Sequence, residues 1–200
     1  MSSAVEICNL ALSHLGSSGI DALDERSEAA AACTTFYAIC RDMVLRDAPW
    51  PFATKMQALA LVEEDPNTEW GFSYRYPSDC LDFRRIQSGK RNDDRQSRVP
   101  YKFGSDNAGQ LVFTDMENAV AEYGARITDS QRFPLDFVLA LSRLIAFHIS
   151  PRVVGQDPFK LGPLSLQVYQ SMIVQAKANA FNEQQEEELP ESEFIRTRDS

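Results

Sequence analysis

A strongly apolar segment at residues 135–149, LDFVLALSRLIAFHI, limits most what this chain can fold into. In a helix, its apolar side chains fall on every face, so the helix must be enclosed by protein or by lipid. The segment is shorter than the ~20 residues that a membrane span needs, and it contains Asp136, Arg143 and His148. We therefore predict the central helix of a small bundle, packed on several sides by other helices, and no membrane contact.

Both ends of this central helix carry sequence signals. Residues 128–130, Thr-Asp-Ser, can cap its N-terminus, and Pro134 suits the first turn of a helix. Pro151 is expected to end it, because the residue before a proline is pushed out of the helical region. The predicted helix therefore covers about residues 134–150.

Three further helices are predicted outside this segment. Ser3 and Glu6 form a capping-box pattern ahead of helical apolar spacing. A second helix begins at Ser27 and cannot continue through Pro49 and Pro51. A stripe of apolar residues near the C-terminus marks the last one. These three helices cover about residues 3–16, 27–47 and 160–182.

The apolar pattern changes to period-two alternation between the second helix and the central helix. Short alternating runs separated by Asp, Asn, Gly and Pro are typical of antiparallel strands, and they occur at residues 72–76, 81–83, 99–103 and 111–113. The predicted fold is therefore mainly α, a four-helix bundle with a small antiparallel β lobe inserted at about residues 53–125, between helix 2 and helix 3. One domain covers residues 1–182, and an extended acidic tail covers residues 183–200.

The composition disfavours several functional classes. The net charge of -9 over 200 residues argues against an adhesive nucleic-acid surface, because phosphate contacts need Lys and Arg. The same charge does not exclude a protein that DNA slides past without binding. The four cysteines show no metal-ligand spacing, and the opening sequence MSSAVEICN has no basic segment followed by a long apolar run. We therefore expect reduced thiols and no secretory signal.

No motif in the sequence points to catalysis. The GxSxG, P-loop and GxGxxG patterns are absent from it. His14 and His148 lie on or beside apolar helical faces without a second ligand at metal-binding spacing, so we interpret them as core or boundary residues. Trp50 and Phe52 are interpreted as side chains that close the core. The sequence therefore predicts a protein that is not an enzyme, with no catalytic residues, no cofactor and no metal.

Two charged clusters are candidates for contacts with other proteins. Basic residues gather in the middle of the chain and are candidates for contacts between subunits or with another protein: Arg84, Arg85, Lys90, Arg91, Arg95 and Arg98. Acidic residues gather in NEQQEEELPESE, which is followed by Phe194 and Ile195, with Arg196 and Arg198 beside them. Such a tail cannot offset its ordering entropy alone. We therefore expect it to order on a partner.

Several segments, taken in order, resemble a known family. They are CNLALSHLG (8–16), IDALDERSEAAAAC (20–33), FYAICRDMVLRDAPWPFA (36–53), YRYPSDC (74–80), YGARITDSQRFPLDFVLALSRLIAFHI (123–149) and SEFIRTRD (192–199). This ordered set is similar to the bacteriophage head-to-tail adaptor proteins, the tail tubular protein A-like group of short-tailed phages and prophages. Each segment alone is weak, and their order and spacing carry the resemblance.

The resemblance implies a structural protein of the virion neck or tail, made in the cytoplasm of the bacterial host. Adaptors of this family are helical bundles with a β insertion that form a homo-oligomeric ring, typically of twelve, beneath the portal protein. DNA passes through the channel without specific binding, and the lower face receives the tail nozzle or other tail proteins. The C-terminal segment of related adaptors reaches the portal, so the portal-contact candidates are Phe194, Ile195, Arg196 and Arg198.

Two alternatives remain open at this point. A non-catalytic helical binding module could engage a basic partner through the EEELPESE segment. A hydrolase with a dispersed site is the third interpretation, with the least support.

Overall fold

The computed structural model describes residues 3–90, 98–154 and 158–183 of the chain. Its four α-helices are α1 (Ala4–His14), α2 (Glu28–Asp47), α3 (Leu135–Val153) and α4 (Pro158–Glu183). Seven strands lie between α2 and α3: β1 (Thr54–Ala58), β2 (Leu61–Glu64), β3 (Phe72–Arg75), β4 (Cys80–Ile86), β5 (Tyr101–Asp106), β6 (Gly109–Thr114) and β7 (Val120–Ala125).

The strands form two antiparallel sheets. The three-stranded sheet has the order β1-β7-β4, and the four-stranded sheet has the order β2-β3-β6-β5. Aromatic side chains join the two sheets, because the ring of Phe83 on β4 lies 5.0 Å from the ring of Tyr101 and 5.4 Å from that of Phe103, both on β5. The helices pack beside the three-stranded sheet, where α2 contacts β4 and β7.

The predicted mainly α four-helix bundle with a small β lobe is wrong. The structure has one pair of helices at each end of the described chain and, between them, a central β region of two sheets. This region contains buried residues of its own, among them Tyr74, Val112 and Tyr123. The β region is therefore a major part of the fold, with a core that continues into the helical part.

The sequence pattern does not indicate the full size of the β region, and the reason is physical. Alternation identifies strands that have one buried face and one exposed face. β7 is the middle strand of its sheet and is buried along nearly its whole length, whereas β1 and β2 are almost entirely exposed. These three strands therefore carry no alternating pattern, and the extent of the sheets could not be read from the sequence.

The apolar segment forms α3, which contacts each of the other three helices. Its side chains at Phe137, Leu141, Leu144 and Ile145 are at most 2% exposed. Leu135 is the exception at 72% exposure, since it stands at the first position of the helix, outside the packed region. The prediction that this segment is enclosed by the other helices is confirmed for the rest of its length.

The ends of α3 differ from the prediction. Pro134 is the residue before the helix, and Asp129 instead caps a short 3-10 turn by accepting from the Gln131 N–H at 3.0 Å. The helix also continues through Pro151 to Val153. A helical proline leaves the carbonyl four residues earlier without its donor. Here the Ser150 hydroxyl donates to the Phe147 carbonyl at 2.9 Å, which replaces the missing bond.

α3 and α4 pack closely at Gly162. A Cβ atom added there would lie 2.4 Å from the Ser150 Oγ, so only glycine allows the two helices to pack this closely. Pro163 follows inside α4 and removes one backbone donor. The Gly-Pro pair, which obscured the start of α4 in the sequence, is therefore a packing feature inside the helix.

An aromatic cluster closes the helical core beside the β region. Phe137 of α3 lies between the rings of Trp50, Phe52 and Phe133, with centroid distances of 5.2, 5.2 and 4.6 Å. The Trp50 indole N–H donates to the Val44 carbonyl at 2.7 Å and so satisfies a carbonyl in the last turn of α2. The interpretation of Trp50 and Phe52 as core-closing residues is confirmed.

Candidate assembly surfaces

Arg84 is one of the predicted contact residues, and most of its side chain is buried within the β region. Its side chain is 16% exposed; Nη1 donates to the Thr54 Oγ1 at 2.8 Å, and Nε lies 3.4 Å from an Asp82 carboxylate oxygen. The Tyr101 hydroxyl also donates to the Arg84 carbonyl at 3.4 Å. These contacts join β4 to β1 and β5, so Arg84 holds these strands together, and little of its side chain reaches the surface.

Arg85 has a cross-strand partner. It stands directly opposite Glu122 in the pairing of β4 with β7, and its Nε and Nη2 lie 2.8 and 2.7 Å from one Glu122 carboxylate oxygen. The Glu122 side chain is only 10% exposed, whereas that of Arg85 is 45% exposed. A nearly buried carboxylate needs such a partner. The first role of Arg85 is therefore to neutralise Glu122.

Replacing Arg85 with alanine should lower the free energy of unfolding by about 1–3 kcal/mol, because the Glu122 carboxylate loses its charged donor while remaining nearly buried. Arg98→Ala is the matched control, since Arg98 is exposed and its loss should cost below ~0.5 kcal/mol. Urea titrations of the two variants beside the parent chain measure both effects. Equal midpoints for the two variants would show that the Arg85–Glu122 pair does not support the fold.

The other predicted contact residues divide into two groups. Lys90 and Arg98 both lie in the segment between β4 and β5, and both are exposed. Six lie outside the described residues, namely Arg91, Arg95, Phe194, Ile195, Arg196 and Arg198. Of the basic candidates, the structure thus leaves Lys90 and Arg98 available at the surface, and it engages Arg84 and Arg85 within the β region.

The β region also exposes large apolar side chains that the sequence analysis did not select. Met56 on β1 is 62% exposed, Leu61 and Val62 on β2 are 50% and 42% exposed, and Phe103 on β5 is 50% exposed. β1 is an edge of the three-stranded sheet, and β2 and β5 are the two edges of the four-stranded sheet. The only sequence signal was the Leu61-Val62 pair directly before a run of acids, in a stretch without alternation.

Two of the surface cavities among the described residues lie in the helical part. The larger, of about 470 Å³, lies between α2, α3 and α4 beside His148 and Tyr169. His148 stacks on Phe36 with ring centroids 5.3 Å apart, and burial lowers its pKa; the Tyr169 hydroxyl donates to Asp47 at 2.6 Å. The smaller, of about 260 Å³, lies between residues 48–52 and the end of α4. Of the polar groups that line the larger cavity, the Tyr169 hydroxyl and the Asp47 carboxylate pair with each other, and most of the remaining lining is apolar.

His14 is held between α1 and α3. Its Nε2 lies 3.1 Å from the Ser142 Oγ, and the Ser142 hydroxyl itself donates to the Leu139 carbonyl at 2.8 Å. Because the single hydroxyl proton is used in that bond, His14 is the donor to Ser142. Burial, and to a lesser extent the charge of Arg143, lower the pKa of His14 from 6.5 to about 4. The interpretation of His14 as a boundary residue with a satisfied hydrogen bond is confirmed.

The low pKa of His14 predicts a loss of stability on acidification. Between pH 6.5 and 4 the unfolded chain binds a proton at this position that the folded chain does not, so stability is complete above pH 6.5 and falls as the pH decreases to 4. We expect a loss of ~1–2 kcal/mol after allowance for solvent screening of a half-buried group. Urea titrations at pH 7 and pH 4 should show a smaller loss for His14→Gln. The same loss in both proteins would exclude His14 as its source.

Within residues 3–90, 98–154 and 158–183, no group of three or more His, Cys, Asp or Glu side chains could hold a metal ion. None of the helices in this part of the chain has the length and apolar character required to cross a membrane.

Compared with known proteins, the chain matches no family model, and no curated protein matches it at a significant level.

Proposed function

We propose that this chain is the head-to-tail adaptor of a short-tailed bacteriophage or prophage. As such it is a structural virion protein that forms a ring beneath the portal protein, joins the portal to the tail nozzle and lets DNA pass. The observation that carries the proposal is the ordered set of six segments, from residue 8 to residue 199, that resembles the adaptor family.

The contacts between these segments support treating them as one pattern. Trp50 of the third segment packs against Phe137 of the fifth, with ring centroids 5.2 Å apart. Tyr123, also in the fifth, places its hydroxyl 2.9 Å from an Asp79 carboxylate oxygen of the fourth. Residues from distant segments therefore depend on one another within the fold.

The charge of the chain supports the same proposal. A protein that lines a DNA channel must not bind phosphates, and a net charge of -9 repels them. Subunit contacts would then use surfaces of the β region and polar pairs, because the core is enclosed within one chain. We expect the isolated chain to be monomeric or weakly associated, and to form the ring only on the portal.

The alternative is a binding module that holds a basic protein through its acidic C-terminal segment. The run EEELPESE favours it, because such a run attracts positive charge without any need for a ring. The two functions differ in stoichiometry and in the partner that they require.

Sedimentation of the purified chain with the portal protein of the same virus tests the proposal. The expected result is a complex that contains many copies of the chain on each portal ring, with the chain alone sedimenting as a monomer or small oligomer. Hen lysozyme, a basic protein of unrelated function, is the control partner. Tight one-to-one binding to lysozyme, together with no binding to the portal, would replace the adaptor with the alternative.

A further inference from the structure

The four-stranded sheet ends in two strand edges of opposite character. In the part of the chain that the structure describes, β2 pairs only with β3, and β5 pairs only with β6. β2 carries Glu63 and Glu64, and the acid run continues at Asp65. β5 carries Lys102 and begins shortly after Arg98, and its one acid, Asp106, is already paired with Arg75 of β3. Edge strands present unpaired N–H and C=O groups that can pair with another chain, and here the two edges also differ in charge.

The residues at the two edges match one another along the rows of the sheet. Successive strand partners form one row from Leu61 through Tyr74 and Val112 to Phe103. The next row runs from Glu63 through Ser73 and Phe113 to Lys102. Directly paired residues share a face of the sheet. The two ends of each row therefore carry complementary side chains on the same face of the sheet. The first row ends in two apolar residues, Leu61 and Phe103, and the second ends in opposite charges, Glu63 and Lys102.

The backbone of β2 is available for a further strand. The Arg75 N–H donates to the Ala60 carbonyl at 2.8 Å, so Ala60 points its polar groups toward β3. Successive residues of a strand point these groups to opposite sides, so the N–H and C=O of Leu61 point outward. The four strands alternate in direction, and a second sheet continued in the same orientation would bring its β5 antiparallel to β2.

We propose that β2 of one copy of this chain pairs with β5 of the next copy, so that the four-stranded sheets continue from subunit to subunit. Leu61 then lies beside Phe103 of the neighbour. An irregularity of β2 between Leu61 and Glu63 places two of its residues opposite one residue of the partner strand, so that Glu63 lies beside Lys102 of the neighbour. The contact uses different surfaces on the two copies, and repeated contacts of this type close into a ring when the rotation allows. The proposal rests on the proposed function, because the ring on the portal supplies the next copy.

The acidic residues of β2 disfavour the simpler pairing of β2 with another β2. Two copies joined in that way would gather Glu63 and Glu64 of both chains in one short contact, and neighbouring like charges are destabilising. Within one chain, Lys102 lies 3.6 Å from Glu69, but these side chains are 64% and 69% exposed. Such an exposed pair contributes little, so Lys102 can exchange Glu69 for Glu63 of a neighbour. Because β2 is short, we expect the contact to be weak without the portal.

Disulfide trapping at high protein concentration tests the pairing on the free chain. Residues directly opposite across strands place their Cβ atoms within reach of a disulfide. A mixture of Leu61→Cys chains and Phe103→Cys chains should give several-fold more cross-linked dimer under oxidation than either variant alone. Leu61→Cys mixed with Val174→Cys is the control, since Val174 is 67% exposed on α4. A yield no higher than that of the control, or a dimer of Leu61→Cys with itself, would overturn the proposal.

A charge exchange tests the same contact on the portal. Glu63→Lys and Lys102→Glu should each reduce ring formation when present alone, whereas an equal mixture of the two should restore it, because each edge again meets its opposite. Glu117→Lys, an exposed change in the loop between β6 and β7, is the control and should assemble like the parent chain. Failure of the mixture to assemble better than the single variants would overturn the proposal.

The outcomes separate this inference from the proposed function. Rings of the parent chain on the portal, with no specific cross-link and no rescue, would keep the adaptor function and reject the β2–β5 contact. A specific Leu61–Phe103 cross-link in a chain that never binds the portal would keep the contact and reject the adaptor function.

Discussion

Replacing Phe137 with alanine is expected to lower the free energy of unfolding by about 3–5 kcal/mol. Phe137 is fully buried in α3 and contacts the rings of Trp50, Phe52 and Phe133. The substitution removes the apolar transfer energy of the ring and leaves a cavity at the point where α3 meets the turn after α2. This effect is the largest that we expect from a single substitution, because the one ring packs against three other aromatic rings.

Leu135→Ala is the matched control for Phe137→Ala. It removes a large apolar side chain from the same helix, two residues away, at a position that is 72% exposed. Its cost should stay below ~0.5 kcal/mol. Urea titrations measure both variants, and the midpoint of Phe137→Ala should be far lower. Equal midpoints would contradict the burial of α3 among the other elements.

Deleting residues 187–200 is expected to abolish most of the affinity for the portal while leaving the fold intact. The deleted segment contains the portal-contact candidates Phe194, Ile195, Arg196 and Arg198, which lie outside the described residues. The buried core lies in the residues that remain, so the midpoint of thermal unfolding should change by no more than about two degrees. Phe194→Ala with Ile195→Ala should reproduce a loss of at least about 30-fold in affinity, which is ~2 kcal/mol for a central contact residue.

Ser192→Ala with Thr197→Ala is the control for the double variant. It truncates two side chains of the same segment and removes no apolar or basic group. This variant should bind the portal like the parent chain. A truncated protein that unfolds early would show that the tail belongs to the fold. Full affinity of the truncated protein would remove the tail from portal attachment.

The helices could be predicted from sequence to a large extent. The capping box of α1 is present, with the Glu6 N–H donating to the Ser3 Oγ at 3.2 Å and the Ser3 N–H donating back to Glu6 at 2.6 Å. Ser27 likewise caps α2. Pro151 misled the prediction of the end of α3, because the compensating hydroxyl of Ser150 depends on side-chain geometry. Local signals thus located the helices, and their ends depended on contacts that a pattern does not contain.

The β region and its surfaces could be predicted less well. A strand buried on both faces, such as β7, and a strand exposed on both faces, such as β2, show no period-two pattern. The basic cluster was visible in the sequence, but a charge pattern cannot distinguish Arg85, which neutralises Glu122, from Arg98, which is exposed. The correspondence of Leu61 with Phe103 depends on strand order and register. It became visible only in the folded chain.

Electron microscopy of the purified chain mixed with the portal protein of the same virus tests the central claim most directly. The adaptor function predicts a ring of this chain beneath the portal, coaxial with it and open along the axis so that DNA can pass. Tail-nozzle protein added afterwards should attach to the lower face of that ring. Portal particles without added density, together with the chain found in one-to-one complexes with a basic protein, would contradict the account.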